Sequence, residues 1–189
     1  MTIAIGVSTG NGSIIATDSR LTMQLKHRLF VRSDATTKIF QLNDCLLATA
    51  GQYNLKFNNQ WLSIKEFLLN FTARHPDLTA ANLANSLQQE LANTNLASND
   101  FILAKNNSVW HISDQTITKT PYIAIGQQAA VAEFYNLYPA FTNTGTIELL
   151  ATELKNNLTH FIAAHPQFGK IGGPVQIAYS TNNDAGFTM

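Results

Sequence analysis

The hydrophobic and polar positions at the start of the chain alternate as they do in β-strands. Ile3, Ile5 and Val7 are separated by small or polar residues, the turn-forming segment GNG (10–12) follows, and the extended pattern resumes at Ile14. This order predicts a β-hairpin. Because a strand rather than a helix follows the glycines, the segment does not have the form of a phosphate-binding loop.

A second hairpin is predicted over residues 38–50. There KIFQL (38–42) is followed by Asn43 and Asp44, which favour a turn, and then by CLLATA (45–50). Residues 19–37 are interpreted only as a polar stretch that leads into this hairpin.

Four helices are predicted from apolar residues at spacings of three and four. The first begins behind Ser63 as N-cap and ends at Pro76, and the second begins behind Thr79. The third is short and ends near Pro139, whereas the fourth is long and ends before Pro166. Their apolar positions are Ile64, Phe67, Leu68 and Phe71; Ala80, Leu83, Ala84, Leu87 and Leu91; Ala130, Val131, Phe134 and Tyr135; and Ile147, Leu150, Ala151, Leu154, Leu158, Phe161 and Ile162.

The remaining strands are predicted between and after the two helix pairs. They cover residues 101–104, 108–112, 115–119, 122–126 and 174–180, with GFTM (186–189) as a candidate last strand. Helices with an apolar face need a sheet to cover, and the strands carry apolar residues on both faces. We therefore expect an α+β fold, a four-layer αββα sandwich of two stacked antiparallel sheets flanked by helix pairs, as one domain over residues 1–189.

Composition narrows the classes of function. Twelve basic and twelve acidic residues cancel, which argues against nucleic acid or an anionic membrane as partner. The apolar runs are too short for a membrane span, and the first residues lack the pattern of a secretory signal, so we expect a cytoplasmic protein. Cys45 lies in an apolar run and is expected to be a packed thiol. The five histidines do not form a metal-binding pattern, and no cofactor is expected.

The two predicted hairpins bring four chemically useful groups to their open ends. The turn of the first hairpin places Asp18 beside either Thr2 or Ile3, and the sequence does not decide between these registers. Only the first register puts Thr2 and Asp18 on the same face. In the second hairpin Lys38 faces Thr49, with Gly51 just beyond.

These groups suit nucleophilic catalysis by a threonine. Removal of Met1 would leave Thr2 with both a hydroxyl and an α-amine, whose reference pKa of about 8 makes it a usable general base. Lys38, held charged by Asp18, would lower the pKa of the hydroxyl, and the Gly51 N–H could stabilise an oxyanion. The alternative is structural: an ordinary ion pair at a sheet rim, a strand residue and a turn.

The segments TIAIGV, GSIIATDSR, KIFQLNDCLLATAG and YIAIG together resemble the proteasome β-subunit family, which includes bacterial two-ring threonine proteases and belongs to the N-terminal nucleophile hydrolases. The resemblance implies an αββα fold and assigns roles. Thr2 would be the nucleophile, Asp18 would orient Lys38, Gly51 would form the oxyanion hole, and the backbone of Thr22 would pair with an extended substrate.

The sequence departs from the family at two places. Gln127 and Gln128 follow YIAIG, where the family commonly has a serine near the nucleophile. Phe168 and Ile171 precede the paired glycines at 172 and 173, where the family has an aspartate and a serine.

Three hypotheses follow. The first is a cytoplasmic threonine hydrolase, a peptidase that cleaves peptide or amide substrates without metal or organic cofactor and assembles as a homo-oligomeric ring or stack. Whether an ATPase partner delivers substrate is not specified by the sequence. The second is a catalytically inactive ring subunit or peptide-binding scaffold, which the two departures motivate. The third is an amidase acting on a small molecule.

Overall fold

A computed structural model of the 189-residue chain describes residues 2–57, 60–92, 98–141, 145–181 and 185–188. Met1 lies outside the described residues, as does Met189 at the end of the candidate last strand. The predicted removal of Met1 therefore stays a prediction.

Ten of the strands form two antiparallel sheets of five strands each. The strands of the first sheet, in spatial order, are β12 (Tyr122–Gly126), β1 (Ile3–Thr9), β2 (Gly12–Thr17), β13 (Gln176–Ser180) and β14 (Ala185–Thr188). Those of the second sheet are β11 (Ile117–Lys119), β10 (Ser108–Ile112), β9 (Asp100–Lys105), β6 (Cys45–Ala50) and β5 (Ile39–Leu42). Both predicted hairpins are thereby confirmed, since β1 pairs with β2 and β5 pairs with β6.

The other four strands form two separate two-stranded ribbons. The first ribbon, which we call the 21–33 ribbon, pairs β3 (Leu21–Leu25) with β4 (Arg28–Ser33). The second pairs β7 (Asn54–Phe57) with β8 (Gln60–Ser63). Neither ribbon was predicted.

The four predicted helices are confirmed as α1 (Ile64–Arg74), α2 (Ala80–Ala92), α3 (Gln128–Leu137) and α4 (Ile147–Ala164). Ser63 caps α1 as expected: its hydroxyl accepts a hydrogen bond from Glu66 N at 3.2 Å, and the Glu66 carboxylate accepts one from Ser63 N at 2.7 Å. Thr146 caps α4 through its hydroxyl alone, which accepts a hydrogen bond from Leu149 N at 3.4 Å. Among the described residues, no helix combines the length and the apolar character needed to cross a bilayer.

Three clusters of buried apolar residues hold these elements together. One joins α1 and α2 to the second sheet, and another joins α3 and α4 to the first sheet. The third lies between the two five-stranded sheets and includes Ala4, Ile15, Leu46, Ala48 and Ile102. Residues on both faces of β2 and β6 are buried, which explains why these strands read as nearly continuous apolar runs.

The predicted fold class, a four-layer αββα sandwich of two sheets, is wrong. The chain is mostly antiparallel β structure, and its fourteen described strands fall into four sheets rather than two, with four helices. The physical reason lies in residues 19–37 and in the segment after Gly51, which form ribbons outside both large sheets. Ribbon strands with little buried surface do not show the apolar pattern that identifies core strands.

The expectation of a packed thiol at Cys45 is confirmed. The side chain is fully buried at the start of β6. Burial, with the neighbouring Asp44 carboxylate, raises the pKa of the thiol to about 12. Since the thiolate is the reactive form, Cys45 is a structural residue.

Candidate functional site

The register of the first hairpin answers the question that the sequence left open. Ala4 faces Thr17, so Asp18 comes beside Ile3 rather than beside Thr2. Asp18 N donates to Ile3 O at 3.3 Å, and Ile3 N donates to the Asp18 carboxylate at 3.1 Å. Continued by one residue, this register puts Thr2 and Asp18 on opposite faces of the hairpin.

The second hairpin has the predicted register. Ile39 faces Ala48, which places Lys38 beside Thr49 immediately before β5 begins. Lys38 is thus held at the end of the second sheet, whereas Asp18 follows β2 in the first sheet.

Lys38 and Asp18 form a buried ion pair. Lys38 Nζ donates to Asp18 Oδ1 at 2.9 Å, and the two side chains are 4% and 0% exposed. The other carboxylate oxygen accepts hydrogen bonds from Arg20 N at 3.2 Å and Gly172 N at 3.1 Å. With Ile3 N, four donors surround one carboxylate, which is the arrangement that supports its ionised form.

Burial moves the pKa values of the two groups toward each other. Burial raises the pKa of Asp18 above its ordinary value, against the opposing effects of Lys38 and of the backbone donors. Burial also lowers the pKa of Lys38, against the opposing charge of Asp18.

A cleft of about 700 Å³ brings together four of the five predicted site residues, Thr2, Thr22, Lys38 and Gly51. Thr2 is only 5% exposed. Asp18, the fifth residue, does not line the cleft, and its connection to the cleft runs through Lys38.

A second cavity of about 290 Å³ is also lined by Thr2. Thr2, Gly51 and Gln52 line both cavities. Ser98 and Asp100 contribute to the second cavity only. Thr2 therefore lies where a chain occupying both cavities would pass.

The main chain of Thr2 is fixed by the end of β12. Gln127 N donates to Thr2 O at 3.0 Å. Gly126 has φ +125°, and a Cβ at this position would lie 1.8 Å from Thr2 O. Only glycine fits there, and the residue that replaces the expected serine, Gln127, contacts the nucleophile candidate through its backbone.

Asn99 is a site residue that the sequence did not indicate. Its side chain is held against the backbone of Gln52: the carbonyl oxygen accepts from Gln52 N at 3.0 Å, and the amide donates to Gln52 O at 3.0 Å. A Cβ on Gly51, whose φ is +129°, would lie 2.7 Å from the Asn99 oxygen. Asn99 thus fixes the peptide next to Gly51. It stands in a polar segment whose composition gave no signal of this contact.

The segment before the paired glycines, where the sequence differs from the family that it resembles, lies beside the ion pair. Gly172 donates its N–H to Asp18 and accepts hydrogen bonds from Ser19 N and Arg20 N. Ile171 is buried in the core, and Phe168 stacks on Phe161. The positions at which an aspartate and a serine were expected therefore carry apolar side chains that pack.

Comparison with known proteins leaves the site without a named counterpart. No protein-family model matches the chain. No curated protein matches it either. Among the described residues there is no group of three or more histidine, cysteine or acidic side chains placed to hold a metal ion. Interpretation of the site rests on its geometry.

The buried pair predicts a stability loss that depends on pH. Lys38→Met removes the charge that holds down the pKa of Asp18 and leaves an uncompensated buried carboxylate, which costs about 3–5 kcal/mol. The folded variant then retains a proton that the unfolded chain releases above its ordinary pKa of 3.8. Asp18 already has a raised pKa in wild type, so the loss of stability relative to wild type begins to grow only above that raised pKa, where wild type has released the proton and the variant has not. Urea unfolding of both proteins from about pH 4 to about pH 8 measures it.

The double variant Asp18→Asn with Lys38→Met is the matched control. It contains no ionisable group at the pair, so its stability relative to wild type should not follow the steep pH dependence of Lys38→Met. An equal deficit for Lys38→Met at every pH would show that the pair is not buried as described.

The close approach at Gly126 predicts a second effect. Gly126→Ala should destabilise the protein by about 1–3 kcal/mol, because the added Cβ overlaps Thr2 O and the backbone has positive φ. Gly10→Ala is the control, since a Cβ there meets nothing within 4 Å. Thermal unfolding of the two variants measures the difference, and equal melting temperatures would contradict the described contact.

Proposed function

We propose that this protein hydrolyses peptide or amide bonds with Thr2 as the nucleophile. The observation that carries the proposal is the meeting of Thr2, Lys38 and Gly51 in one cleft, with Lys38 paired to the buried Asp18. A nucleophile, a perturbed titratable group and a glycine amide in one concave site are the components that acyl transfer requires.

The α-amine of Thr2 supplies the general base. Once the residue that precedes Thr2 is removed, hydroxyl and amine belong to the same residue, and the amine accepts the hydroxyl proton as Oγ1 attacks the carbonyl carbon. The amine then delivers that proton to the leaving nitrogen. Water attacks the resulting ester, and the threonine hydroxyl is restored.

Lys38 and Gly51 act on charge that develops during attack. The ammonium of Lys38 favours the deprotonated form of the threonine hydroxyl, and Asp18 keeps Lys38 in place. The Gly51 N–H is the candidate donor to the oxyanion of the tetrahedral intermediate, and Asn99 holds the adjoining peptide rigid.

The strand that lines the cleft favours an extended peptide over a small amide as substrate. Residues 21–24 of β3 line it. Within the described part of the chain, β3 pairs only with β4, so its other edge is open to an added strand. Thr22 lies on this strand at a register shift, where the resemblance assigned substrate pairing.

A second candidate function is peptide binding without cleavage. The observation that favours it is the chemistry at the two positions that differ from the resembled family: Gln127 donates its backbone N–H to Thr2 O, and its side-chain oxygen is buried without a hydrogen-bond partner. Phe168 and Ile171 offer no group that could take part in proton transfer. Such a protein would use the same cleft and the same open strand edge.

We further propose that copies of the chain assemble through the 21–33 ribbon. The ribbon exposes a cluster of large apolar side chains, which a soluble monomer seldom leaves uncovered. Outside the cleft these are Leu25, Phe30 and Val31, whereas Met23 and Leu29 of the same ribbon also line the cleft.

Replacement of the nucleophile tests the proposed hydrolysis. A sample whose intact mass shows Thr2 as the first residue should cleave fluorogenic peptide amides, and Thr2→Ala should lower kcat at least about a thousandfold because no other group attacks the carbonyl. Thr2→Ser keeps a hydroxyl and an amine and should retain measurable turnover.

Two outcomes would contradict the mechanism. One is full activity of Thr2→Ala, and the other is an active wild-type sample in which the amine of Thr2 is blocked. A sample with free Thr2 that binds peptides and cleaves none of them would support the binding function instead.

Assembly is tested with two equally exposed leucines. Leu25, on the 21–33 ribbon, is 58% exposed, and Leu149, on α4, is 60% exposed. Leu25→Asp should reduce the particle mass measured by light scattering, because a charge in an apolar interface is costly, whereas Leu149→Asp should not. A monomeric wild type, or an equal effect of both variants, would exclude the ribbon as the interface.

A further inference from the structure

The charges that line the cleft are of one sign. Its basic side chains are Arg20, Arg32, Lys38 and Lys170, and no acidic side chain is among its described lining residues. The whole chain has twelve basic and twelve acidic residues, so this asymmetry is local and does not follow from composition. A concave surface lined by one sign of charge concentrates ligands of the opposite sign.

Two of the four cations are already compensated. Arg20 makes a bidentate contact with Asp34, with Nε to Oδ1 at 2.7 Å and Nη2 to Oδ2 at 3.0 Å. Lys38 is paired with Asp18. Neither Arg32 nor Lys170 has a carboxylate partner within the described part of the chain.

The segment that carries Lys170 is anchored on both sides. Arg20 Nη1 donates to Gly169 O at 3.3 Å, and Gly172 N donates to the buried carboxylate of Asp18 at 3.1 Å. Lys170 is half-buried between these contacts, so its position at the cleft is defined by the fold. Arg32 lines the same cleft from β4 of the 21–33 ribbon.

One residue that lines the same cleft carries an unpaired hydroxyl. Thr49 is 6% exposed, and its Oγ1 is buried without a hydrogen-bond partner. Leaving a buried hydroxyl unpaired costs free energy. The cleft thus combines two uncompensated cations with a buried donor beside Lys38.

We infer that the cleft selects acidic peptides, in which an aspartate or glutamate side chain near the cleaved bond binds between Arg32 and Lys170. A peptide is favoured over other polyanions because the open edge of β3 offers hydrogen bonds to an extended main chain. The placement of the acidic side chain near a cleaved bond rests on the proposed function, whereas the selection of acidic peptides is a property of binding alone.

The test measures binding apart from turnover. Fluorescein-labelled peptides that differ only by Glu or Gln are titrated against the Thr2→Ala protein, with fluorescence anisotropy as readout. The Glu peptide should bind about tenfold more tightly, since two partly exposed ion pairs contribute a modest energy each. The preference should shrink when the NaCl concentration rises from about 0.05 M to about 0.5 M.

Substitutions of single basic residues test which of them cause the preference for the Glu peptide. Arg32→Gln and Lys170→Gln should each reduce the preference for the Glu peptide about threefold. Lys155→Gln, on α4 and outside the cleft, makes the same change of charge and should leave the preference unchanged.

Three results would overturn the inference: equal binding of the two peptides, an equal effect of Lys155→Gln, or tighter binding of a single-stranded oligonucleotide than of the Glu peptide. The proposed hydrolysis can fail independently of the proposed selection of acidic peptides. Wild type that binds the Glu peptide selectively but never cleaves it would remove the hydrolysis and leave the selection, whereas cleavage without a Glu preference would do the reverse.

Discussion

The buried contact between Asp18 and Lys38 is the interaction on which the arrangement of the site depends. Asp18 follows β2 of the first sheet, and Lys38 precedes β5 of the second, so the ion pair joins the ends of two separate sheets. The same carboxylate accepts the N–H of Ile3, next to Thr2, and that of Gly172, in the segment before β13. One charged group thereby fixes the nucleophile candidate, the cationic neighbour and one wall of the cleft relative to each other.

Much of this site could be predicted from short-range chemistry. Turn residues determine hairpin register, so Lys38 beside Thr49 followed from the position of Asn43 and Asp44. The position of Asp18 could be predicted only to within one residue, because GNG supports two turns that differ by a single step. That step decides the geometry. Asp18 comes beside Ile3 and does not line the cleft that contains Thr2, and Lys38 connects Asp18 to this cleft.

What the sequence did not reveal depends on contacts between distant segments. Asn99 holds Gln52 across 47 positions, and Gly126 leaves room for Thr2 O. Neither residue differs in type from others in polar turns or at strand ends. The fold class failed for another reason. Apolar residues alternate with polar ones only in β3, whereas Leu29, Phe30 and Val31 are consecutive in β4, so no shared alternating pattern in residues 21–33 indicates a pair of strands outside the large sheets.

The energetics of the ion pair bear on why it is there. Removing two charges from water costs several kcal/mol per ion, and apolar side chains of similar volume often stabilise a core as well or better. Stability alone therefore does not account for a pair that is 4% and 0% exposed. Four donors to the carboxylate reduce the cost, and they do so without turning Lys38 away from the cleft. The pair keeps a costly cation in the lining of the cleft that Thr2 and Thr49 also line, an arrangement that the proposed hydrolysis requires and that core packing alone does not.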